Sequence, residues 1–158
     1  MCAGAVLTIT ITGGVRELSM LTTAFASTDV VTCTNNLIVN PGFESGLTGW
    51  GAHGPNVTIT TDAHTGTKAV ALGSGYTGVQ QVVDATAGYT YTLSGFGKIT
   101  NDLYKVEYGI RFIDNSGTTL PNGFFSAVVK KHIYGESEFS VLAPPGTTKV
   151  IIFAENDA

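Results

Sequence analysis

Residues 36–50 read NLIVNPGFESGLTGW, and this stretch decides how the rest of the chain is interpreted. Leu37–Val39 form a short apolar run, which predicts a strand. Pro41 fixes its own φ and keeps the residue before it out of the helical region, so the strand has to end in a turn there. Phe43 offers one large apolar anchor, and glycines surround Trp50, the only tryptophan of the chain. The stretch therefore predicts a strand that leads into a glycine-rich loop.

Composition limits the class of protein. Charged residues make up 13% of the 158 residues and hydrophobic residues 43%, so much of the surface has to consist of Thr, Ser, Asn and Gly. This profile is typical of a secreted β-protein. The net charge of −4 and the scattered basic residues argue against a nucleic-acid partner. No apolar run approaches the roughly 18 residues that a membrane-spanning helix needs.

The remainder of the chain alternates between short β-patterned segments and glycine-rich turns, and no segment has helical periodicity. Strands are predicted at 56–61, 69–72, 78–84, 89–94, 104–114, 138–142 and 149–153. Asp114–Gly117 (DNSG) is read as a hairpin turn. Many short strands with regular turn signals predict an all-β fold with little or no helix, either an antiparallel β-sandwich or a barrel.

The ordered motifs of this β-rich part resemble the jelly-roll carbohydrate-binding modules that are appended to bacterial xylanases and glucanases. The opening NLIVNPGFE with Gly49–Trp50 is similar to the start of these modules. Later similarities are found at Thr67–Leu72, Gln81–Val82, Ala87–Ser94, Ile110–Asp114 and Phe139–Gly146, in the same order as in the family. The resemblance implies a jelly-roll sandwich with a galactose-binding-domain-like fold. It also implies a non-catalytic, extracellular domain whose partner is a polysaccharide or glycan.

Sugar binding requires aromatic faces and planar polar side chains. The candidates are Trp50, Tyr76, Gln81 (or its neighbour Gln80), Tyr104, Glu107, Arg111 and Tyr134. Within the predicted strand 104–114, Glu107 and Arg111 lie on the face opposite to the core, four residues apart, where they could line a groove together with Gln81. Two structural alternatives stay open: Trp50 could be a core or loop residue, and Glu107 and Arg111 could form an exposed ion pair.

The resemblance further implies a structural Ca²⁺ site. In the family this site uses the glutamate of the Gly-Phe-Glu motif, backbone carbonyls near the Gly-Lys turn and an aspartate of the last strand. Glu44 and the backbone around Lys68 match, but that aspartate has no counterpart here, and Asp157 is a candidate replacement. Because Ca²⁺ takes six to eight oxygen ligands, loss of one carboxylate would weaken or abolish the site.

The N-terminal region is interpreted as an extension, residues 1–34, that precedes a sandwich domain at 35–158. Val6–Thr12 (VLTITIT) alternates with period two and predicts a strand. The family's usual last strand is missing after Phe153, and this extension strand could replace it in its own molecule or in a neighbouring one. Strand donation to a neighbour gives an alternative function, a structural subunit of an extracellular filament or surface layer. A fragment of a longer protein is a third possibility.

Three narrower predictions concern a signal peptide, the two cysteines and catalysis. Ala24–Ala26 resembles a signal-peptidase site, but no basic residues start the segment, so a signal peptide stays an open alternative. Cys2 and Cys33 could pair or remain two separate thiols. No sequence motif brings two carboxylates together for glycoside hydrolysis, and no nucleophile motif is present, so an enzyme is not expected.

Overall fold

A computed structural model describes residues 7–12, 32–33, 36–100, 105–130 and 132–157. These ranges contain strands, turns and loops but no helix, so none of the described elements is a helix that could span a membrane. In chain order the strands are β1 (Leu7–Thr12), β2 (Thr32–Cys33), β3 (Gly51–His53), β4 (Val57–Thr60), β5 (Ala69–Leu72), β6 (Thr77–Asp84), β7 (Thr90–Gly97), β8 (Val106–Ile113), β9 (Thr119–Val129), β10 (Gly135–Leu142) and β11 (Lys149–Asn156). The all-β prediction is confirmed.

The strands form two main antiparallel sheets and one hairpin. The four-stranded sheet has the order β10-β7-β1-β2, and the five-stranded sheet has the order β3-β6-β11-β8-β9. β4 and β5 pair only with each other. β11 lies at the centre of the five-stranded sheet and pairs with β6 on one side and β8 on the other.

The hydrophobic core lies between the inner faces of the two main sheets. Alternate residues of β7, β8 and β11 are fully buried there, because successive side chains of a strand point to opposite faces. Tyr91 of the four-stranded sheet meets Phe112 of the five-stranded sheet edge-on, with ring centroids 5.5 Å apart. The hydroxyl of Tyr108 also crosses the interface, lying 3.1 Å from the carbonyl oxygen of Gly95 and 2.8 Å from that of Ser137. The two sheets therefore form a β-sandwich.

The N-terminal strand β1 pairs with β7 of its own chain. The register runs from Leu7 opposite Gly95 to Thr12 opposite Thr90. Pairing of this strand with a neighbouring molecule stays a prediction. Cys2 and residues 24–26 lie outside the described residues, so the predictions about the disulfide and the signal peptide remain predictions.

The predicted strand at Leu37–Val39 is wrong. No strand occurs there, because the side chain of Gln81 forms the backbone hydrogen bonds that a neighbouring strand would otherwise form with Val39. Oε1 of Gln81 accepts from the amide of Val39 at 2.8 Å, and Nε2 of Gln81 donates to the carbonyl of Val39 at 3.1 Å. The turn after it is confirmed. Asn40 has a φ of +52° and Phe43 a φ of +57°, so the backbone enters the left-handed region twice within four residues.

Strand β9 was not predicted from the sequence. Pro121, Asn122 and Gly123 interrupt its pattern, and Asn122 has a positive φ of 54°. The strand tolerates these residues because it lies at the edge of its sheet, where one side needs no ladder hydrogen bonds. The hairpin turn before it was predicted correctly: the amide of Gly117 donates to the carbonyl of Asp114 at 3.1 Å.

Candidate functional site

The surface of the five-stranded sheet that points away from the core is called the outer face here. Its residues follow from strand alternation and register. They are Gln80 and Val82 of β6, Ile151, Phe153 and Glu155 of β11, Glu107, Gly109 and Arg111 of β8, and Phe124, Ser126 and Val128 of β9. Aromatic, cationic and anionic side chains therefore share one face of a hydrogen-bonded sheet.

One half of the outer face is an aromatic platform. The rings of Phe124 and Phe153 stack with centroids 5.5 Å apart and an interplanar angle of 19°. The guanidinium carbon of Arg111 lies 5.4 Å from the Phe124 centroid and 5.5 Å from the Phe153 centroid. Phe153 is only 1% exposed, whereas Phe124 is 47% exposed and offers a free surface. The platform therefore presents an accessible ring beside a guanidinium with several hydrogen-bond donors.

Gly109 makes room for this platform. A Cβ atom at this position would lie 2.7 Å from Cζ of Phe153 and 2.2 Å from the carbonyl oxygen of Phe125. The ring of Phe153 therefore lies above a position without a side chain, which lets it approach the sheet closely.

The other half of the outer face carries an acidic row. Glu107 and Glu155 are direct cross-strand partners on β8 and β11. Glu107 accepts a hydrogen bond from Oγ of Ser126 at 3.2 Å and lies 3.4 Å from Nζ of Lys105. The carboxylate of Glu155 lies 3.9 Å from Nε2 of His53, and that buried nitrogen has no hydrogen-bond partner among the described residues. The row thus combines carboxylate acceptors with an imidazole nitrogen, Nε2 of His53, that has no hydrogen-bond partner among the described residues.

Tyr76 lies at the end of this row. Its ring is tilted by 39° against that of His53, with centroids 5.0 Å apart, and it is 59% exposed. Gly78 lies between His53 and Glu155. A Cβ atom at this position would lie within 2.8 Å of both side chains, so the absence of a side chain lets them approach each other.

Three of the sequence-predicted residues occupy this region. Glu107 and Arg111 lie on the same outer face, as the strand alternation predicted, and Tyr76 lies at its margin. They do not form an ion pair with each other; Glu107 faces Lys105, and Arg111 covers the phenylalanine rings. Tyr104 lies outside the described residues.

Gln81 lies on the inner face, not in the groove predicted for it. Its amide is occupied by backbone groups: besides the two bonds to Val39, Nε2 donates to the carbonyl of Gly49 at 2.9 Å. Gln80, the neighbour that the sequence left as an alternative, points to the outer face and is exposed. The two glutamines point to opposite faces because successive residues of β6 alternate between the faces. Gln81 pairs with the core residue Ile152, and Gln80 pairs with the outer-face residue Phe153.

Trp50 is a core residue, which was the structural alternative for it. It is 7% exposed, its ring stacks on Phe43 with centroids 4.9 Å apart, and its Nε1 donates to the carbonyl of Asn40 at 3.1 Å. This placement removes Trp50 from the outer face. The tryptophan instead fixes the turn at residues 40–43 against the core.

Tyr134 lies elsewhere. Its hydroxyl donates to the carbonyl of Asp62, and its ring lies 4.7 Å below Nζ of Lys98. It therefore joins the residue before β10 to the loop after β4, and no described contact connects it to Arg111.

The carboxylate of Glu44, one of the predicted Ca²⁺ ligands, takes part in several hydrogen bonds. Its carboxylate accepts from the amide of Thr67 at 2.8 Å, the hydroxyl of Thr67 at 2.5 Å and the amide of Lys68 at 3.1 Å. Nζ of Lys68 donates to the carbonyl of Glu44 at 2.9 Å. The hydrogen bonds from Thr67, above all that of its hydroxyl, lower the pKa of Glu44. The described residues contain no group of three metal-ligating side chains, and Asp157 bonds Lys105 through its backbone.

Several residues of the outer face were missed from the sequence. Phe124 lies in a strand that was not predicted, and Phe153 was read only as part of an apolar terminal strand. Glu155 and His53 had no motif around them. The one available signal was the alternation of side chains between the two faces of a strand. Once Ile152 is taken as a core residue, Phe153 and its cross-strand partner Gln80 have to point outward.

The sequence matches a family model described as carbohydrate binding domain over residues 35–156. The chain belongs to this family. It is accordingly a non-catalytic, glycan-binding β-sandwich, and the resemblance drawn from its motifs is confirmed. No curated protein sequence matches the chain.

Solved structures support the fold. A family 16 carbohydrate-binding module superposes with a TM-score of 0.61 at 21% identity, covering 77% of this chain and 94% of that one. The enzymatically active domain of tailspike protein 4 from bacteriophage CBA120 gives 0.62 at 17% identity and 77% coverage, but this chain spans only 19% of its length. A tandem of family 22 modules from a Paenibacillus barcinonensis protein gives 0.50 at 16% identity, covering 73% of this chain and 42% of the tandem. These similarities concern the sandwich and do not favour the filament alternative.

Proposed function

We propose that the chain holds a polysaccharide along the outer face, with the Arg111–Phe124–Phe153 platform at one end of the site and the Glu107–Glu155–His53 row at the other. The single observation that carries this proposal is the half-exposed ring of Phe124 beside a guanidinium on a regular sheet. A pyranose ring has apolar C–H faces and polar edges, so it packs on the aromatic ring while Arg111 donates to its hydroxyl groups.

The acidic row complements the platform. Ionised carboxylates only accept hydrogen bonds, so Glu107 and Glu155 would accept hydrogen bonds that sugar hydroxyl groups donate. Exposed Gln80 lies next to Phe153 in the register and adds both a donor and an acceptor. Tyr76 extends the site beyond His53 and offers a second aromatic face. Such an open face suits a chain of several sugar units better than a single monosaccharide.

The test is binding to a panel of soluble polysaccharides, by affinity electrophoresis and calorimetry. Phe124→Ala should weaken binding about tenfold, the equivalent of roughly 1.4 kcal/mol for one aromatic contact. Tyr89→Ala is the matched control, because Tyr89 is also an exposed aromatic residue but precedes β7 in the four-stranded sheet. Equal affinities for the two variants would contradict the proposed location, and failure of the unmodified protein to bind any glycan would contradict the function.

Three finer predictions belong to this proposal. An extracellular location is supported by the low charge content and by the polysaccharide partner, and cell fractionation tests it. Calcium binding is tested by calorimetric titration with CaCl₂, with Glu44→Gln as the control. Self-association by exchange of β1 is tested by the native mass in solution, where a value near the 16.4 kDa of one chain excludes it.

A further inference from the structure

A cavity of about 290 Å³ opens between the β4–β5 hairpin and the five-stranded sheet, and Glu107 is the one outer-face residue named above that also lines it. Its walls are largely apolar, with Ala69, Leu72, Ile99, Val106 and Val129 among them. Protein interiors rarely contain voids larger than a water molecule. An apolar cavity of about 150 Å³ is already sufficient to take a benzene ring. This cavity therefore has room for one substituted ring.

Aromatic side chains surround the space. Phe43 and Trp50 line it from the N-terminal loop, and Tyr108 lines it from β8. At the opening, the rings of His64 and Phe96 stack almost in parallel, with centroids 3.8 Å apart. Aromatic walls favour an aromatic guest, which can meet them edge-on or in offset stacks.

The opening carries one ion pair. Lys98 pairs with Asp62, Nζ of Lys98 lies 4.7 Å from the ring centroid of Tyr134, and the hydroxyl of Tyr134 donates to the carbonyl of Asp62. The ammonium donates and the carboxylate accepts, so a neutral hydroxyl group can bond both at once. The lining residues Asp62 and Glu107 carry two negative charges against the one positive charge of Lys98, so an anionic ligand would meet net repulsion. A sugar would lose the hydration of several hydroxyl groups against apolar walls, which is costly.

We propose that this cavity is a second binding site, which shares only Glu107 with the glycan site and takes a neutral phenol with its ring inside and its hydroxyl at the Asp62–Lys98 pair. Burial of the apolar ring of the guest against the apolar walls drives entry.

Phenol and para-cresol are the probes, with benzoate as the anionic comparison and glucose as the sugar comparison. Trp50 is the only tryptophan and lines the cavity, so its fluorescence reports entry directly. The phenols should shift the emission of Trp50 and raise the melting temperature in a saturable manner. Benzoate should bind at least tenfold more weakly, and glucose should give no change. Absence of a saturable response to the phenols, or equal binding of benzoate, would overturn the proposal.

Two variants locate the site. Ala71→Leu fills part of the cavity and should weaken phenol binding at least tenfold, while Ala52→Leu on exposed β3 should leave it unchanged. Lys98→Met removes the donor at the opening and should lower the preference for phenol over toluene, a readout that holds even if Ala71→Leu does not fold. Unchanged phenol binding in Ala71→Leu, or an unchanged preference in Lys98→Met, would contradict the proposal. Glycan affinity should be the same in Ala71→Leu, so failure of this site and failure of the glycan site are distinguishable.

Discussion

Gln81→Leu should destabilise the protein without altering its outer face. The side chain forms three hydrogen bonds, two to Val39 and one to Gly49, and these attach the N-terminal loop to β6. Leucine has a similar volume, so the packing term stays small and the hydrogen bonds dominate. At about 1 kcal/mol for each bond, the free energy of unfolding should fall by about 3 kcal/mol. For a chain of this size the melting temperature should fall by about 6–12 °C.

The neighbouring residue provides the control. Gln80→Leu changes the same residue type on the same strand, but its side chain is exposed and points to the outer face. Its effect on stability should stay within about 0.5 kcal/mol. Urea denaturation of both variants measures the difference, with equal m-values as the check on two-state behaviour. If Gln81→Leu lost no more stability than Gln80→Leu, the amide of Gln81 would not hold the loop, and the assignment of the two glutamines to opposite faces would be refuted.

Three further predictions concern the hydrogen bonds between Glu44 and Thr67, the interface between the two sheets, and the aromatic platform. Hydrogen bonds lower the pKa of Glu44 below 4.5, so they stabilise the fold above that pH, and this contribution is lost as the pH falls through the folded-state pKa. Thr67→Val should raise the pKa of Glu44, measured by carboxyl NMR titration, and its stability deficit at neutral pH should shrink in acid. Tyr108→Phe should cost about 1 kcal/mol in urea unfolding, because its hydroxyl bonds carbonyls of the facing sheet. Gly109→Ala should cost about 2 kcal/mol or more and weaken glycan binding, because its Cβ collides with the carbonyl of Phe125; unchanged stability would contradict the close approach.

The fold could be predicted from the sequence because its strands alternate cleanly and end at turn residues. The strand at 69–72 was predicted with its observed bounds, and the core face of β8 follows directly from Tyr108, Ile110 and Phe112. The stretch at Leu37–Val39 shows the limit of this reasoning. A short apolar run can be held by one side chain instead of a strand, and local sequence does not reveal that partner 42 residues away.

The site could be predicted only in part, because residue type does not indicate which face a side chain occupies. Glu107 and Arg111 were found, since the alternation of β8 is regular. Gln81 was misplaced, since β6 begins with three consecutive buried residues and its parity depends on pairing with β11. Phe124 was missed, since the proline and positive-φ asparagine of β9 conceal an edge strand.

The position of β11 has a consequence for biosynthesis. This strand is the last in sequence among the described residues, yet it occupies the middle of its sheet between β6 and β8. During translation, the ribosome has to release residues as far as Asn156 before either half of the sheet can find its partner. Until then, β6 and β8 each have one edge whose backbone hydrogen-bonding groups are unpaired, and such edges are prone to aggregation. Pairing between such distant strands is also slow, on a timescale of milliseconds to seconds. The sandwich therefore stays unclosed, and open to association with other chains, until β11 is available.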